Sequence, residues 1–317
     1  MAFDIIGDIA IIKKPLKYDI EEYKKIILNK HKNIKTILLQ ETEVEPPYRI
    51  AKYKFIYGEK KTETICIEYG LRFKLDISKC YYSNRLSNER HRIAKSVKDG
   101  EKVLVMFSGV NPYSIYISKF SKADKIYSIE LNPYAFKYGI ENVKLNKANN
   151  IITILGDVRD VTPYLYYLSN GDGIINDDIL NDAIESSIEL NKAIFTREIN
   201  KKLKAKEYLN LDFFKDKEKY KLKFDRIIMP LPKESDLFLD VAIPAIKNNG
   251  IIHLYHFLNE ENYMEEIKKI LDEQSEKLNF KYEILNIIKA GDISPGVYRY
   301  CIDFKVIKKY NENYGEI

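Results

Sequence analysis

Residues 102–115 read KVLVMFSGVNPYSI, and residues 125–133 read KIYSIELNP. Each is an apolar run of strand length that ends in a turn and passes into a helix, with proline at the helix start. The unit recurs. NIITIL (150–155), DRIIMPL (225–231) and GIIHLYHFL (250–258) follow, separated mostly by helical sequence. Strands alternating with helices are joined by crossovers, so these strands run parallel with helices on both faces. Their near-continuous apolar character is that of strands buried on both sides. Beyond a helical stretch from Glu260 to Leu278 come YEILNIIKA and VYRYCIDFKV, joined by GDISPG, a link short enough for an antiparallel pair. The fold class is α/β, a doubly wound and mainly parallel sheet of seven strands.

Upstream the pattern changes. Short alternating runs (Phe3 to Ile12, Ile50 to Tyr57, Glu63 to Glu68, Arg72 to Asp76) flank one helical stretch, Ile20 to Asn29. An amphipathic segment, ERHRIAKSV, then leads to the turn signal Asp99-Gly100. This predicts a small α+β domain over residues 1–95 and the α/β domain over 96–317. Between about 169 and 223 the strand–helix alternation is interrupted by a segment that starts acidic and turns Lys-rich, read as an insertion between core strands.

The 317 residues are 45% apolar and 31% charged, a globular composition with more chain than one core usually organises. No run of about eighteen apolar residues could span a bilayer. The N-terminus has no basic stretch ahead of its apolar residues, so a cytoplasmic protein without membrane association is expected. Cys66, Cys80 and Cys301 are odd in number and lack metal-ligand spacing, which points to neither disulfides nor zinc. The net charge of +5 suits a polyanionic partner but does not single one out.

Open α/β sheets bind ligands at the carboxyl ends of their strands, so the loops there are where chemistry is sought. In the first, Gly109 lets backbone approach a ligand closely. At the end of the second strand Glu130 is placed to accept hydrogen bonds from both ribose hydroxyls of a nucleoside cofactor. At the end of the third, Asp157 is placed to meet an adenine amino group. Each residue alone is more often a cap or a turn residue. Three in strand order, one βα unit apart, read together as a nucleoside crevice.

Together, NRLSNERHRI, MFSGVNPYSI, YSIELNPYAFKYGIENVKLNK, GDVRDV, DRIIMPLPK and GVYRY resemble the archaeal and eukaryotic tRNA guanine-N1 methyltransferases that act at position 37, next to the anticodon. The likeness runs from the GDIAII strand to the C-terminus, outside the insertion. It implies a class I methyltransferase fold, S-adenosyl-L-methionine (AdoMet) as cofactor, and the tRNA anticodon stem-loop as partner, with a monomer expected. Paralogous aminocarboxypropyl transferases of wybutosine synthesis share several of these motifs.

Methylating guanine N1 removes a proton while charge builds on O6, which calls for a base and a cationic donor. By the resemblance Glu89 is the base, Arg49 meets the target guanine, and Arg85 and Arg90 flank the base. Tyr81 lies beside the cofactor, together with Met106, Phe107 and Val110 of the first loop, Leu131 of the second and Val158 of the third. Glu89 without this motif would read as an exposed charge on an amphipathic helix. A direct displacement at a sulfonium needs positioning rather than a metal, so none is expected. His253 and His256, three apart on a strand, face opposite sides and read as packing or polar-cluster residues.

The chain departs from the family pattern at three points. Val105 stands where relatives carry an acidic residue, Asn111 replaces a second glycine, and Pro230 replaces the asparagine of an Asn-Leu-Pro motif. Pro230 offers no side-chain amide at the end of the fourth strand, which alters how the target base is held. One archaeal branch of the family resembles this chain in its proline and methylates C7 of 4-demethylwyosine, sometimes besides guanine N1. The competing readings are aminocarboxypropyl transfer and a catalytically silent tRNA-binding protein.

Overall fold

In the computed structural model, residues 3–45, 48–169 and 215–308 are described. Most of the insertion expected at 169–223, residues 170–214, lies outside them.

The chain opens with β1 (Phe3–Ile6), β2 (Ile9–Ile12), α1 (Ile20–Lys30), β3 (Thr36–Gln40) and β4 (Tyr53–Gly58), whose strands form a sheet in the order β1-β2-β3-β4. The run Phe3–Ile12, expected as one strand, is folded back on itself at Gly7, where φ is 57°. A side chain at Gly7 would meet Thr64 Oγ1 at 2.1 Å, so only glycine fits the turn. Strand β3 is absent from the sequence expectations because TILLQ is a short apolar run without alternation, and four of its five residues are buried. Ala10, Ile12 and Ile37 pack against Tyr23 and Ile27 of α1.

A hairpin of β5 (Glu63–Glu68) and β6 (Leu71–Asp76) follows, then α2 (Ser87–Ser96). The alternation of β7 (Lys102–Val105), α3 (Pro112–Phe120), β8 (Lys125–Glu130), α4 (Pro133–Leu145), β9 (Ile151–Leu155), α5 (Val158–Val161) and α6 (Leu165–Ser169) comes next. The described chain resumes before β10 (Phe224–Met229) and continues through α7 (Leu239–Ala245), β11 (Ile246–Asn259), α8 (Tyr263–Leu278), β12 (Phe280–Ser294) and β13 (Val297–Lys308). These seven strands pair in the order β12-β13-β11-β10-β7-β8-β9. From β9 to β11 every pairing is parallel, while β13 runs against both its neighbours. Winding reverses between β7 and β10, and a crevice opens above such a reversal.

Alternation within the strands separates two cores, as a period of two requires. Val103, Val105, Ile126 and Ile228 face α2 and α3, packing with Ile93, Ile115 and Ile117 and with Phe73 and Leu75 of β6. Leu104, Tyr127, Ile227 and Ile252 face the other way, onto Leu239 and Ala242 of α7 and Ile267 and Leu271 of α8. Val105, at the position of a family acidic residue, is thus a fully buried core residue.

Helix α4 docks on the edge of β6 through two side-chain amides. Asn142 Oδ1 accepts from Lys74 N at 2.7 Å and its Nδ2 donates to Lys74 O at 3.0 Å. Asn146 makes the same pair of bonds with Arg72, at 2.9 and 2.7 Å. An open strand edge is thereby paired without another strand. All three cysteines are free and buried, and no described helix is long and apolar enough to cross a membrane.

Candidate active site

The carboxyl ends of β7, β8 and β9 and the loop after β10 surround a cavity of about 230 Å³. One wall is the first loop, a sequence of left-handed turns: φ is 54° at Phe107, 57° at Gly109 and 66° at Asn111. Gly109 faces open space, with nothing within 4 Å of where a Cβ would stand. Asn111, at the position of a lost glycine, tolerates the left-handed conformation and its side chain donates to Thr153 Oγ1 at 2.8 Å. Gly139 leaves it room, since a Cβ there would stand 3.0 Å from Asn111 Nδ2.

Glu130 ends β8 at the cavity. Its Oε2 accepts from Gly109 N at 2.5 Å and its Oε1 from Asn132 N at 2.8 Å. Burial pushes the Glu130 carboxyl up, and the backbone donors at Asn132 and Gly109 oppose the shift. Each oxygen keeps a further lone pair for a hydroxyl. Asp157 caps α5, accepting from Arg159 N at 2.8 Å, and lines the same cavity with Val158 and Leu131. Phe238, from the segment after β10, also lines it and meets Phe107 edge-on at 4.8 Å between centroids. Ser108 Oγ lines the cavity as a buried polar atom without a partner among the described residues. A glycine facing open space, a carboxylate at the end of β8 and an unpaired hydroxyl fit a polar nucleoside ligand.

The opposite wall is aromatic and cationic. Arg49, itself left-handed at φ 56°, lies with its guanidinium 4.3 Å from the Tyr81 ring centroid. Burial pulls the Arg49 guanidinium below its usual range. Arg90 is 2% exposed; its Nη1 donates to Glu68 Oε2 at 2.7 Å and its Nη2 to Ser83 O at 2.6 Å. It thereby fixes the Tyr82-Ser83 segment of the wall. Pro230 and Leu231 close the cavity from the end of β10.

Three of the residues expected at the site stand elsewhere. Met106 is fully buried in the core with Leu104, and its N–H continues the sheet by donating to Ile228 O at 3.0 Å. Arg85 is exposed and pairs with Asp4. Glu89 does not line the cavity. It is 6% exposed on α2, about 100° around the helix from Arg90. Its two oxygens receive Arg92 Nε and Nη2, each at 2.8 Å, and Oε1 also receives Tyr255 Oη at 2.6 Å.

Beneath it runs a buried polar chain. Arg92 Nη1 donates to Asp303 Oδ2 at 2.7 Å, Asp303 Oδ1 lies 2.6 Å from His253 Nδ1, and His253 Nε2 lies 2.6 Å from Arg226 Nη1. An arginine only donates, so His253 accepts at Nε2 and carries its proton on Nδ1. Burial, with the charges of Arg226 and Arg92, holds the imidazole below its usual range against the pull of Asp303. Burial pushes the Asp303 carboxyl up, but His253 and Arg92 more than offset it and hold the group well below the carboxylate range. Folding brings Cys301 here too, with its Sγ 3.2 Å from Asp303 Oδ1. His253, Cys301 and Asp303 form a triad of metal-ligand types, but two arginines stand in the network and the imidazole nitrogens are engaged, which opposes a cation. His256 faces away from this chain, 3.4 Å from Asp236.

Tyr82, Tyr113 and Phe238 are cavity residues that the sequence motifs do not single out. Nothing in spacing marks Phe238, because it reaches the site from the segment between β10 and α7.

The domain family described as TRM5/TYW2 methyltransferase domain matches residues 64–181 and 182–285, and the TYW2 N-terminal domain matches residues 1–62. The tRNA (guanine(37)-N(1))/4-demethylwyosine(37)-methyltransferase Taw22 of Nanoarchaeum equitans is 40% identical over 97% of this chain and 100% of its own length. The crystal structure of Trm5b from Pyrococcus abyssi superposes with a TM-score of 0.69 at 33% identity, over 96% of this chain and 74% of that one. M. jannaschii TYW2 in complex with AdoMet gives 0.63 at 26% identity, over 97% and 100%. With its motifs, sheet order and strand-end crevice in agreement, the chain belongs to the TRM5/TYW2 methyltransferase family.

Proposed function

We propose that this protein transfers a methyl group from AdoMet to the purine at position 37 of tRNA, at guanine N1, at C7 of 4-demethylwyosine, or at both. One observation carries the reading: a single cavity has Glu130, Gly109 and Asp157 on one wall and Arg49, Tyr81 and Pro230 on the other. The whole-length likeness to a relative named for both methylations supports the choice of substrate.

AdoMet supplies an electrophilic sulfonium whose methyl carbon is open to in-line displacement. Glu130 holds the ribose hydroxyls, Gly109 lets the loop backbone approach, and Asp157 and Val158 hold the adenine. The target purine, turned out of the anticodon loop, enters against Tyr81 and Tyr82. Arg49 offers N–H donors to the oxygen on which charge builds. Glu89 lies behind the cavity wall, bonded to Tyr255 beside Tyr113, and takes the proton from N1 by turning from Arg92 toward the cavity while Asp303 keeps its own bond to Arg92.

Incubating the purified protein with unmodified tRNA and AdoMet, then analysing the nucleosides by mass spectrometry, gives one added methyl at position 37. An unmodified purine in that digest would refute the reading. The match of residues 1–62 to the TYW2 N-terminal domain favours a second reading, transfer of the aminocarboxypropyl group. The same digest separates them, because that adduct is much heavier than a methyl.

A further inference from the structure

The GVYRY segment carries an arginine with no role in the reading above. Arg299 pairs in register with Phe257 of β11, is 6% exposed, and holds its guanidinium 5.3 Å from the Phe257 ring centroid. Its buried Nε has no hydrogen-bond partner. Among the described residues, no carboxylate forms an ion pair with Arg299 or with Arg49. Both cations act on one phenol. Arg49 lies over the Tyr81 ring. The side chains of Arg299 and Arg49 each hydrogen-bond the Tyr81 hydroxyl; burial pushes that hydroxyl up, and the charges of the two arginines, with that of Lys13, more than reverse it. Lys13 has its own counter-charge in Asp4, whereas the two arginines have none. Like charges gathered in a desolvated place are costly until an anion completes them.

The place of this cluster in the sheet indicates which anion. Arg299 stands at the crevice end of β11 and β13, four strand spacings of about 4.8 Å, or roughly 19 Å, from β8 and Glu130. That is the half of the crevice left to the substrate, away from the loops that meet the cofactor. Arg49 and Tyr81 line the cavity and are only partly buried, so an oxyanion can reach them, while Arg299 stands behind. A guanidinium has five donors, so Arg49 can meet a base and a phosphate from different edges.

Building on the RNA reading, we propose that Arg49 and the Tyr81 hydroxyl, backed by Arg299 as a positioning residue, form an oxyanion site that takes a phosphodiester next to the target purine. Arg299 acts through Tyr81: its charge polarises the hydroxyl, which then donates more strongly to the phosphate oxygen.

The test uses the full chain and an anticodon stem-loop RNA in fluorescence anisotropy, with calorimetry against S-adenosylhomocysteine. A second RNA carries an uncharged methylphosphonate in place of the phosphodiester 5′ or 3′ of the target purine. For the unaltered protein, one of the two replacements weakens binding about tenfold. Arg299→Gln weakens binding of the all-phosphate RNA by a similar factor, lowers the salt slope by about one, and no longer senses the methylphosphonate. Arg299→Lys restores most of the loss, Tyr81→Phe repeats the insensitivity, and S-adenosylhomocysteine binds both Arg299 variants like the parent. Unchanged affinity and slope in Arg299→Gln, or equal methylphosphonate losses in variant and parent, overturn the proposal. Weaker S-adenosylhomocysteine binding with RNA affinity kept assigns the anion to the cofactor carboxylate and overturns it as well. If the unaltered protein binds no stem-loop, the RNA reading falls too; if it binds and methylates RNA with Arg299 indifferent, only the phosphodiester site falls.

Discussion

Arg92 grips Glu89 by two donors at 2.8 Å each while its remaining nitrogen reaches Asp303 at 2.7 Å. One guanidinium thus neutralises two buried carboxylates on elements far apart in sequence. Glu89→Gln keeps the shape of α2 but cannot take a proton, so kcat falls by roughly 10² to 10⁴ while RNA affinity holds. Single-turnover methylation measures it, and unchanged kcat would remove Glu89 from the mechanism. Arg92→Ala strands both carboxylates and costs about 3 kcal/mol or more in urea unfolding.

Glu130 bridges Gly109 and Asn132 through its two oxygens. Glu130→Gln keeps one acceptor oxygen but loses the charge that strengthens bonds to hydroxyls. About 1.5–3 kcal/mol, or roughly ten- to 150-fold, is lost in S-adenosylhomocysteine affinity by calorimetry. RNA affinity is unaffected.

Acid destabilises the protein in two steps. His253 in the fold sits below its ordinary 6.5 and Asp303 below its ordinary 3.8, so the unfolded chain binds more protons as the pH drops. The contribution of His253 is complete above about pH 6.5 and is lost as pH falls through its folded value. That of Asp303 is complete above about pH 4 and is lost further down. Chemical denaturation across pH reads both, and His253→Gln abolishes the upper step. An upper step that survives this substitution would assign it to another group.

Pro230 closes the cavity without a side-chain donor. Pro230→Asn adds an amide that can accept from or donate to a guanine edge. The product ratio on tRNA bearing guanine or 4-demethylwyosine at position 37 shifts toward guanine N1, read by nucleoside mass spectrometry. An unmoved ratio would show that the asparagine position does not set the choice.

Much of the site lies in local sequence because strand ends carry it. Gly109, Glu130 and Asp157 each close an apolar run, and one βα unit of spacing is enough to place them side by side. The hydrogen bonds that join distant elements were not legible. Arg92 and Asp303 are 211 residues apart, and Arg226 and His253 meet only because β10 and β11 lie in register. Glu89 and Arg90 are adjacent in the motif, yet helical geometry sends one into the polar chain and the other to the cavity. Strand β3 escaped because a short, wholly apolar run has no period to read, and the reversal at Gly7 shows only against Thr64, far downstream.

Asn132 joins the two walls of the cavity. Its N–H serves Glu130, its Oδ1 caps α4 at Tyr134 and Ala135, and its Nδ2 donates to Lys79 O at 2.7 Å, two residues before Tyr81. A shift of the Glu130 carboxylate is therefore transmitted through one side chain to the segment that carries Tyr81. Linkage is reciprocal, so whatever cooperativity this amide provides has the same size whichever ligand binds first, and Asn132→Ala would uncouple the order of loading while leaving both subsites in place.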